Sequence, residues 1–295
     1  MYTLSTLSTL FSIKSIRISF HYILIMCLLT SCRASVADTY PTPKKYNLNH
    51  PFKIELSEQL NEISGIQFYA KDSSVFAISD ATGSLYKIFL GRKNIVQKWK
   101  FGKNADYEDL QLVDSTFYIL SSTGDLASVK FFSKDSLQVN FFQFPGKDKN
   151  EFETLFYDKE SGMLNMICKN CAADKKKSVT VWSFNPKENK YQPGTFSIDV
   201  APIANKMSLD KLKFKCSAAA INPLTNELFI LSSVNKALII ADKAGNTKEV
   251  YPLDPSIYKQ PEGIAFTPAG DLLISNESHK TGFANILVFK FQKGL

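Results

Sequence analysis

An internal repeat limits the folds open to this chain more than any other feature of its sequence. In five segments a polar or acidic residue and a small residue precede an Ile or Leu, an apolar strand, a turn and a second apolar strand. The aligned apolar residues are Ile66, Leu110, Leu155, Ile221 and Ile264, with spacings of 44, 45, 66 and 43 residues. Units of this length with four short strands are typical of propeller blades, because each sheet needs neighbours to cover its faces. The sequence therefore predicts an all-β fold, with a single β-propeller domain over residues 46–295.

The number of blades predicted from the repeat is five or six. Five repeats are clear, and the spacing of 66 residues leaves room for a degenerate sixth blade. The same interval contains APIANKMSLDKLKF, which is compatible with a short helix. The last repeat ends near Phe291 with little chain left for an outer strand. We expect the segment HPFKIEL, which precedes the first repeat, to supply that strand and close the ring.

The N-terminal segment, residues 1–31, has the features of a bacterial lipoprotein signal peptide. Lys14 and Arg17 precede the apolar stretch ISFHYILIMCLLTS, which is too short for a confident transmembrane helix. The stretch ends in LTSC, a lipobox that predicts acylation of Cys32, with palmitate among the acyl chains. Residues 32–45 are polar and suit a flexible tether. The protein is then lipid-anchored in the cell envelope, facing the periplasm or the cell surface. An ordinary secretory signal or an uncleaved anchor remains the alternative.

Composition and charge bear on the partners. The chain is 44% hydrophobic with 23 Phe and 12 Tyr, enough to bury a sizeable core. Its formal charge of +7 falls to about +5 when Lys14 and Arg17 are removed. The basic residues are scattered except for the run Lys175–Lys177, which we interpret as a solvated loop. No basic helix or zinc-finger spacing is present, so nucleic acid is not an expected partner, and we expect a monomer.

Three cysteines remain outside the signal peptide and the lipobox. Cys168 and Cys171 form a CxxC motif, and Cys216 is left over. In an oxidising compartment this spacing favours a local disulfide between Cys168 and Cys171. Free thiols, half of a zinc site or a redox centre are the alternatives.

Acidic residues recur where the innermost strand of each blade begins. Such positions converge at one mouth of a propeller channel, and several oxygen ligands there could hold Ca²⁺. Alternatively, the same side chains accept backbone N–H bonds from the next blade and only tie the ring together. The candidate metal ligands are Glu62 (or Ser64, depending on the alignment), Asp80, Glu108, Asp109, Glu153, Glu262, Asn276 and Glu277.

Several short motifs in a fixed order resemble the SdiA-regulated family of bacterial lipoproteins. They are NEISGI, FAISD, GSLYKI, YEDL, FYILSSTGDL and QPEGIAFTPAGDLLISNE, which together extend over most of the mature chain. The resemblance implies an exported propeller, with a wider likeness to NHL-type, calcium-dependent phytase and gluconolactonase-type propellers. The fourth repeat departs from the pattern, because Ala219 and Ala220 stand where the acidic and small residues are expected.

Two functions fit these features. The first is a non-enzymatic envelope module that binds a protein, glycan or small-molecule ligand, with Ca²⁺ as the only cofactor considered. The second is a Ca²⁺-dependent esterase, lactonase or phosphatase with a carboxylate-lined site. His50 and His279 lie in neither a GxSxG nor an HExxH context, so no catalytic residue is assigned.

Overall fold

Five four-stranded antiparallel sheets make up the fold, which confirms the predicted all-β propeller. The computed structural model describes residues 40–91, 96–172, 174, 178–208, 214–278 and 282–294. The predicted signal peptide (1–31), Cys32, the tether as far as residue 39, the run Lys175–Lys177 and His279 lie outside these ranges. Within them, no helix has the length and apolar character needed to cross a bilayer.

Each blade is a meander of four strands, numbered here from the channel outwards. Blade one holds β2 (Ile63–Tyr69), β3 (Ser74–Ser79), β4 (Thr82–Phe89) and β5 (Val96–Lys100). Blade two holds β6 (Tyr107–Val113), β7 (Thr116–Ser121), β8 (Leu126–Phe131) and β9 (Leu137–Phe142). Blade three holds β10 (Asn150–Asp158), β11 (Met163–Cys171), β12 (Ser178–Asn185) and β13 (Lys190–Asp199). Blade four holds β14 (Ala218–Ile221), β15 (Leu228–Ser232), β16 (Ala237–Ala241) and β17 (Thr247–Pro252). Blade five holds β18 (Pro261–Phe266), β19 (Leu272–Asn276), β20 (Asn285–Phe289) and β1 (Phe52–Glu55).

The ring is closed by the strand that comes first in the sequence. β1 pairs antiparallel with β20, from Phe52 opposite Val288 to Glu55 opposite Asn285. The prediction that HPFKIEL supplies the outer strand of the last blade is therefore confirmed. The inner strands β2, β6, β10, β14 and β18 contact one another in cyclic order, so β18 also packs against β2.

The long spacing in the repeat is filled without a sixth blade in the described chain. Blade three has long strands, up to ten residues in β13, and a short helix α1 (Ala201–Lys206) follows it. Ala219 pairs with Ile230, as Ile264 pairs with Ile274, so Ala219 is the structural counterpart of the aligned apolar residues. The sequence alignment on Ile221 was wrong by two residues, because a small alanine occupies the position expected to carry a large apolar side chain.

The core lies between the faces of neighbouring blades. Ile66, Leu110, Leu155, Ala219 and Ile264 are all buried. Each large apolar side chain removed from water in this way contributes about 1.5–3 kcal/mol. The apolar interior fixes the inner strands firmly, and the polar residues at their first turns are thereby held around the channel.

Candidate functional site

A β-bulge occurs at the start of the inner strand in blades two, three and five. In blade two Tyr107 pairs with Ser121 and Asp109 pairs with Leu120, so Glu108 has no partner in the ladder. The equivalent unpaired residues in blades three and five are Glu153 and Glu262. Bulges redirect a side chain out of the regular alternation of a strand. Three glutamates are therefore presented at equivalent positions around the ring.

Blades one and four carry serine at this position. Ser64 lies in the irregular stretch between the Ile63–Ser79 and Ile66–Ala77 pairs. The alternative left open by the sequence is thus settled for Ser64 as the counterpart of Glu262. In blade four the counterpart is Ser217, whose Oγ donates a hydrogen bond of 2.7 Å to the Pro261 carbonyl.

Lys169 extends into the glutamates from blade three. Its Nζ lies 3.2 Å from Glu151 Oε1 and forms a closer ion pair with Glu153. The same ammonium lowers the pKa values of Glu108 and Glu262, which places it among all three bulge glutamates. The sequence prediction missed Lys169. The signal was present, because Lys169 follows Cys168 as Glu277 follows Asn276, and Cys168 and Asn276 hold matching places in their ladders.

Glu62 joins the site through Glu277. The two carboxyl groups are hydrogen-bonded to each other, and Gln260 Nε2 donates a further hydrogen bond to Glu277 Oε2. Asp80 is close enough to feel the charges of Glu62 and Asp106. We call this cluster the acidic mouth; it consists of the carboxyl groups of Glu62, Asp80, Asp106, Glu108, Glu153, Glu262 and Glu277.

The bulge glutamates are difficult to ionise at neutral pH. Burial and the hydrogen-bonded Asp106 raise the pKa of Glu108 to about 8, and Lys169 only partly opposes this. Burial raises the pKa of Glu262 to about 7, although a hydrogen bond from Ser233 lowers it in part. Carboxylates that are desolvated and face like charges favour the protonated form. A positive charge entering the mouth would relieve both costs.

The other side of the mouth has the same character. Burial and the neighbouring Glu62 raise the pKa of Glu277 to about 8. Burial and Glu62 also raise the pKa of Asp80 above its usual range. The Oδ1 atom of Asp80 is buried and has no hydrogen-bond partner among the described residues. An unpaired buried carboxylate oxygen costs roughly 1–3 kcal/mol, so this atom is suited to accept a ligand.

Two residues of the predicted metal set lie outside the mouth and have structural contacts instead. Asp109 is buried between blades two and three, where its two carboxylate oxygens accept 2.8 Å hydrogen bonds from the Leu110 and Leu155 N–H groups. Asn276 is also buried, and its Nδ2 donates to Asn285 Oδ1 and to the Ile257 carbonyl. For Asp109 the structure supports the alternative stated above, a tie between blades.

The cysteines lie directly behind Lys169. The sulfur atoms of Cys168 and Cys171 are bonded, with Cα atoms 5.7 Å apart. Asp174 lies beside this pair, but bonded sulfurs offer no thiolate to a metal. Cys216 is a buried free thiol whose pKa burial raises to about 12, so it is a poor nucleophile.

Comparisons with known proteins agree with the fold. The model of the SdiA-regulated family matches residues 43–280. No curated protein matches the chain in sequence. Among solved structures, glutaminyl cyclase from Myxococcus xanthus is similar at a TM-score of 0.56 and 14% identity, over 83% of this chain and 97% of that one. A luciferin-regenerating enzyme is similar at a TM-score of 0.52 and 9% identity, over 83% and 96%. Likeness at this level of identity shows a shared propeller fold.

Proposed function

This chain belongs to the SdiA-regulated family, and from that premise we propose that it is a non-enzymatic binding module of the cell envelope whose acidic mouth takes Ca²⁺. One observation carries the proposal: seven carboxyl groups converge at the mouth and are only partly balanced by Lys169. We further propose that a lipid on Cys32 anchors the module, and that its ligand is a protein, glycan or small molecule bound at the mouth.

The donor atoms of the mouth fit a hard divalent cation. Ca²⁺ takes six to eight oxygen ligands and tolerates irregular geometry. Asp80 offers a buried oxygen with no hydrogen-bond partner in the described chain. Glu108 and Glu262 are buried carboxyl groups whose raised pKa values reflect the lack of a nearby balancing charge. These three residues, with Glu62 and Glu277, would hold the ion, whereas Glu153 is committed to Lys169.

A second candidate, a Ca²⁺-dependent hydrolase, is favoured by one feature of the same site. The hydrogen-bonded pair of Glu62 and Glu277 includes a carboxyl group with a pKa of about 8, which suits a general base at neutral pH. A bound cation could polarise a substrate oxygen or a water molecule beside such a pair. We place this function second because the described residues of the mouth include neither an imidazole nor a free thiol.

Thermal unfolding in the presence of Ca²⁺ tests the proposed function. A ligand that binds only the folded state stabilises it by about 2.7 kcal/mol at a hundredfold excess over its Kd. That stabilisation corresponds to a rise in melting temperature of about 5 °C for a domain of this size. Mg²⁺ should produce a smaller rise, because it requires near-octahedral geometry and dehydrates reluctantly.

Matched variants identify the site and separate the two candidates. The double variant Glu108→Gln/Glu262→Gln should lose the Ca²⁺ response and melt higher than wild type without metal, since the repulsion is also lost. Glu55→Gln, on the exposed strand β1, should keep the wild-type response. Absence of a Ca²⁺ response in wild type, with a destabilised double variant, would mean that the glutamates only tie blades together. Turnover on ester, lactone or phosphate panels that disappears in Glu277→Gln would favour the hydrolase.

A further inference from the structure

Lys169 is presented by an irregularity that faces the bulge of Glu153. In the ladder between β10 and β11, Glu151 pairs with Asn170 and Phe152 pairs with Cys168, which leaves Lys169 unpaired on β11. Glu153 is the next unpaired residue on β10. Two bulges on adjacent strands therefore aim an ammonium and a carboxylate at each other, and the two groups form an ion pair.

A disulfide closes the chain across the Lys169 bulge. Cys168 immediately precedes Lys169, Cys171 follows two residues later, and their sulfur atoms are bonded. Cys168 is fully buried, and the Cys171 N–H also donates to Asp174, so both ends of the CKNC segment are fixed. The Lys169 side chain is 21% exposed and leads from this fixed segment to the mouth.

We infer that Lys169 is a built-in counter-cation that sets the affinity of the acidic mouth for an external cation, and that the Cys168–Cys171 disulfide holds it there. The inference rests on the proposed binding of Ca²⁺ at the mouth. Lys169 and an incoming cation share the same carboxylates, because the ammonium reaches Glu153 directly and acts on Glu108 and Glu262. Like charges in a partly desolvated site repel strongly, so the lysine weakens cation binding.

Neutral and conservative substitutions of Lys169 test this role. Lys169→Met keeps much of the apolar stem and removes the charge, whereas Lys169→Arg keeps the charge. Calcium titrations of both variants and of wild type at pH 9, where protons compete least for the carboxylates, measure the effect. We expect Lys169→Met to bind Ca²⁺ at least tenfold more tightly than wild type, and Lys169→Arg to stay within threefold of it. Unchanged or weaker binding by Lys169→Met would overturn the role of counter-cation.

Chemical labelling of Lys169 tests the disulfide without using Ca²⁺. Amine acetylation followed by mass spectrometry compares Lys169 with Lys290, whose side chain is 82% exposed. In the oxidised protein Lys169 should react several-fold more slowly than Lys290. Phosphine reduction of the folded wild type, or Cys168→Ala/Cys171→Ala, should remove most of that protection. Protection that persists after both treatments would show that the disulfide does not hold Lys169.

The two proposals can fail separately. If wild type binds no Ca²⁺, the proposed function fails, and metal-free melting at pH 8 then decides whether Lys169 balances the mouth. Lys169→Met should melt several degrees below wild type in chelator, because the glutamates lose their counter-charge, and Lys169→Arg should retain most of the stability. Equal melting of the Met and Arg variants would overturn the inference even if Ca²⁺ binds.

Discussion

Three buried glutamates of the mouth should make the stability of the propeller depend on pH. Burial raises the pKa of Glu262 to about 7, and burial and neighbouring carboxyl groups raise those of Glu108 and Glu277 to about 8. A carboxyl group whose pKa is higher in the folded than in the unfolded chain stabilises the fold while it stays protonated. That contribution is complete below about pH 4.5, the usual pKa of glutamate, and is lost as the pH rises through 7 to 8.

We predict that the free energy of unfolding falls between pH 5 and pH 8.5 in a buffer with chelator. The rise in the pKa of Glu262 from 4.5 to about 7 alone corresponds to roughly 3 kcal/mol. Urea unfolding at a series of pH values measures the effect, and Glu108→Gln/Glu262→Gln should flatten the profile. Stability that is constant or rises over this range would contradict the burial and repulsion described for the mouth.

Neighbouring residues at the bulges show how far the site could be predicted from the sequence. The repeat correctly drew attention to Glu108, because acidic residues recur where inner strands begin. It could not separate Glu108 from Asp109, because a bulge shifts the alternation of a strand by one residue and pairing must be seen to locate it. Lys169 was missed for another reason: the search was for oxygen ligands, and a cation between two cysteines did not belong to that pattern.

At the scale of elements, ring closure depends on a strand that contributes little side-chain burial. Three of the four residues of β1 are exposed, so it holds the outer edge of β20 mainly through backbone pairing. The chain before β1 adds a buried contact. The Tyr46 hydroxyl donates a 2.7 Å hydrogen bond to the Gly270 carbonyl and accepts one from Asn222 Nδ2. Blade five is thus completed by residues from the opposite end of the chain.

Removal of this closing segment should destabilise the whole ring. We predict that a chain beginning at Ser57 melts at least 10 °C below one beginning at Tyr40, or aggregates, because β20 becomes an open edge. Tyr46→Phe should lower the free energy of unfolding by about 1–2 kcal/mol, since two buried groups lose their hydrogen-bond partner. Circular dichroism melting of the three proteins measures both effects. Equal melting temperatures for the two chain lengths would mean that β1 is dispensable.

Elements were predictable where their chemistry was regular. The closing strand was predicted because the last repeat lacked room for an outer strand. The blade number stayed open, since a spacing of 66 residues does not distinguish an extra blade from long strands. In the structure β10 to β13 are each eight to ten residues long, and α1 with the segment after it takes up the rest.

At the scale of the whole molecule, the N-terminal segment and the acidic mouth lie at opposite ends of the channel. Glu262 is near the start of β18, whereas Gly270, which binds the Tyr46 hydroxyl, lies in the turn after β18 ends. A strand of six residues spans about 20 Å. Tyr40 is tied to the same segment, because its carbonyl accepts a hydrogen bond from Asn49 Nδ2.

The proposed lipid anchor on Cys32 would therefore direct the mouth away from the membrane. The seven residues between Cys32 and Tyr40 can extend at most about 28 Å, which keeps the end of the channel bearing Tyr46 near the bilayer. Two exposed positions report on the opposite ends. Thr123 lies in the turn after β7, beside the residues that lead into the mouth, and Thr225 lies in the turn between β14 and β15.

Energy transfer to a lipid acceptor tests this orientation. Fluorophores attached to Thr123→Cys and Thr225→Cys can be specific, because Cys216 is buried and Cys168 and Cys171 are bonded. In vesicles that carry an acceptor in the headgroup layer, we predict stronger transfer from position 225 than from position 123. Cys32→Ala, as a control in each background, should remain with its signal peptide, fail to enter detergent as mature lipoprotein and give no transfer. Normal processing of that variant would contradict the lipobox prediction. Equal transfer from the two positions in the lipidated protein would instead mean that the tether lets the propeller tumble, leaving the mouth free to face the membrane as often as the opposite side.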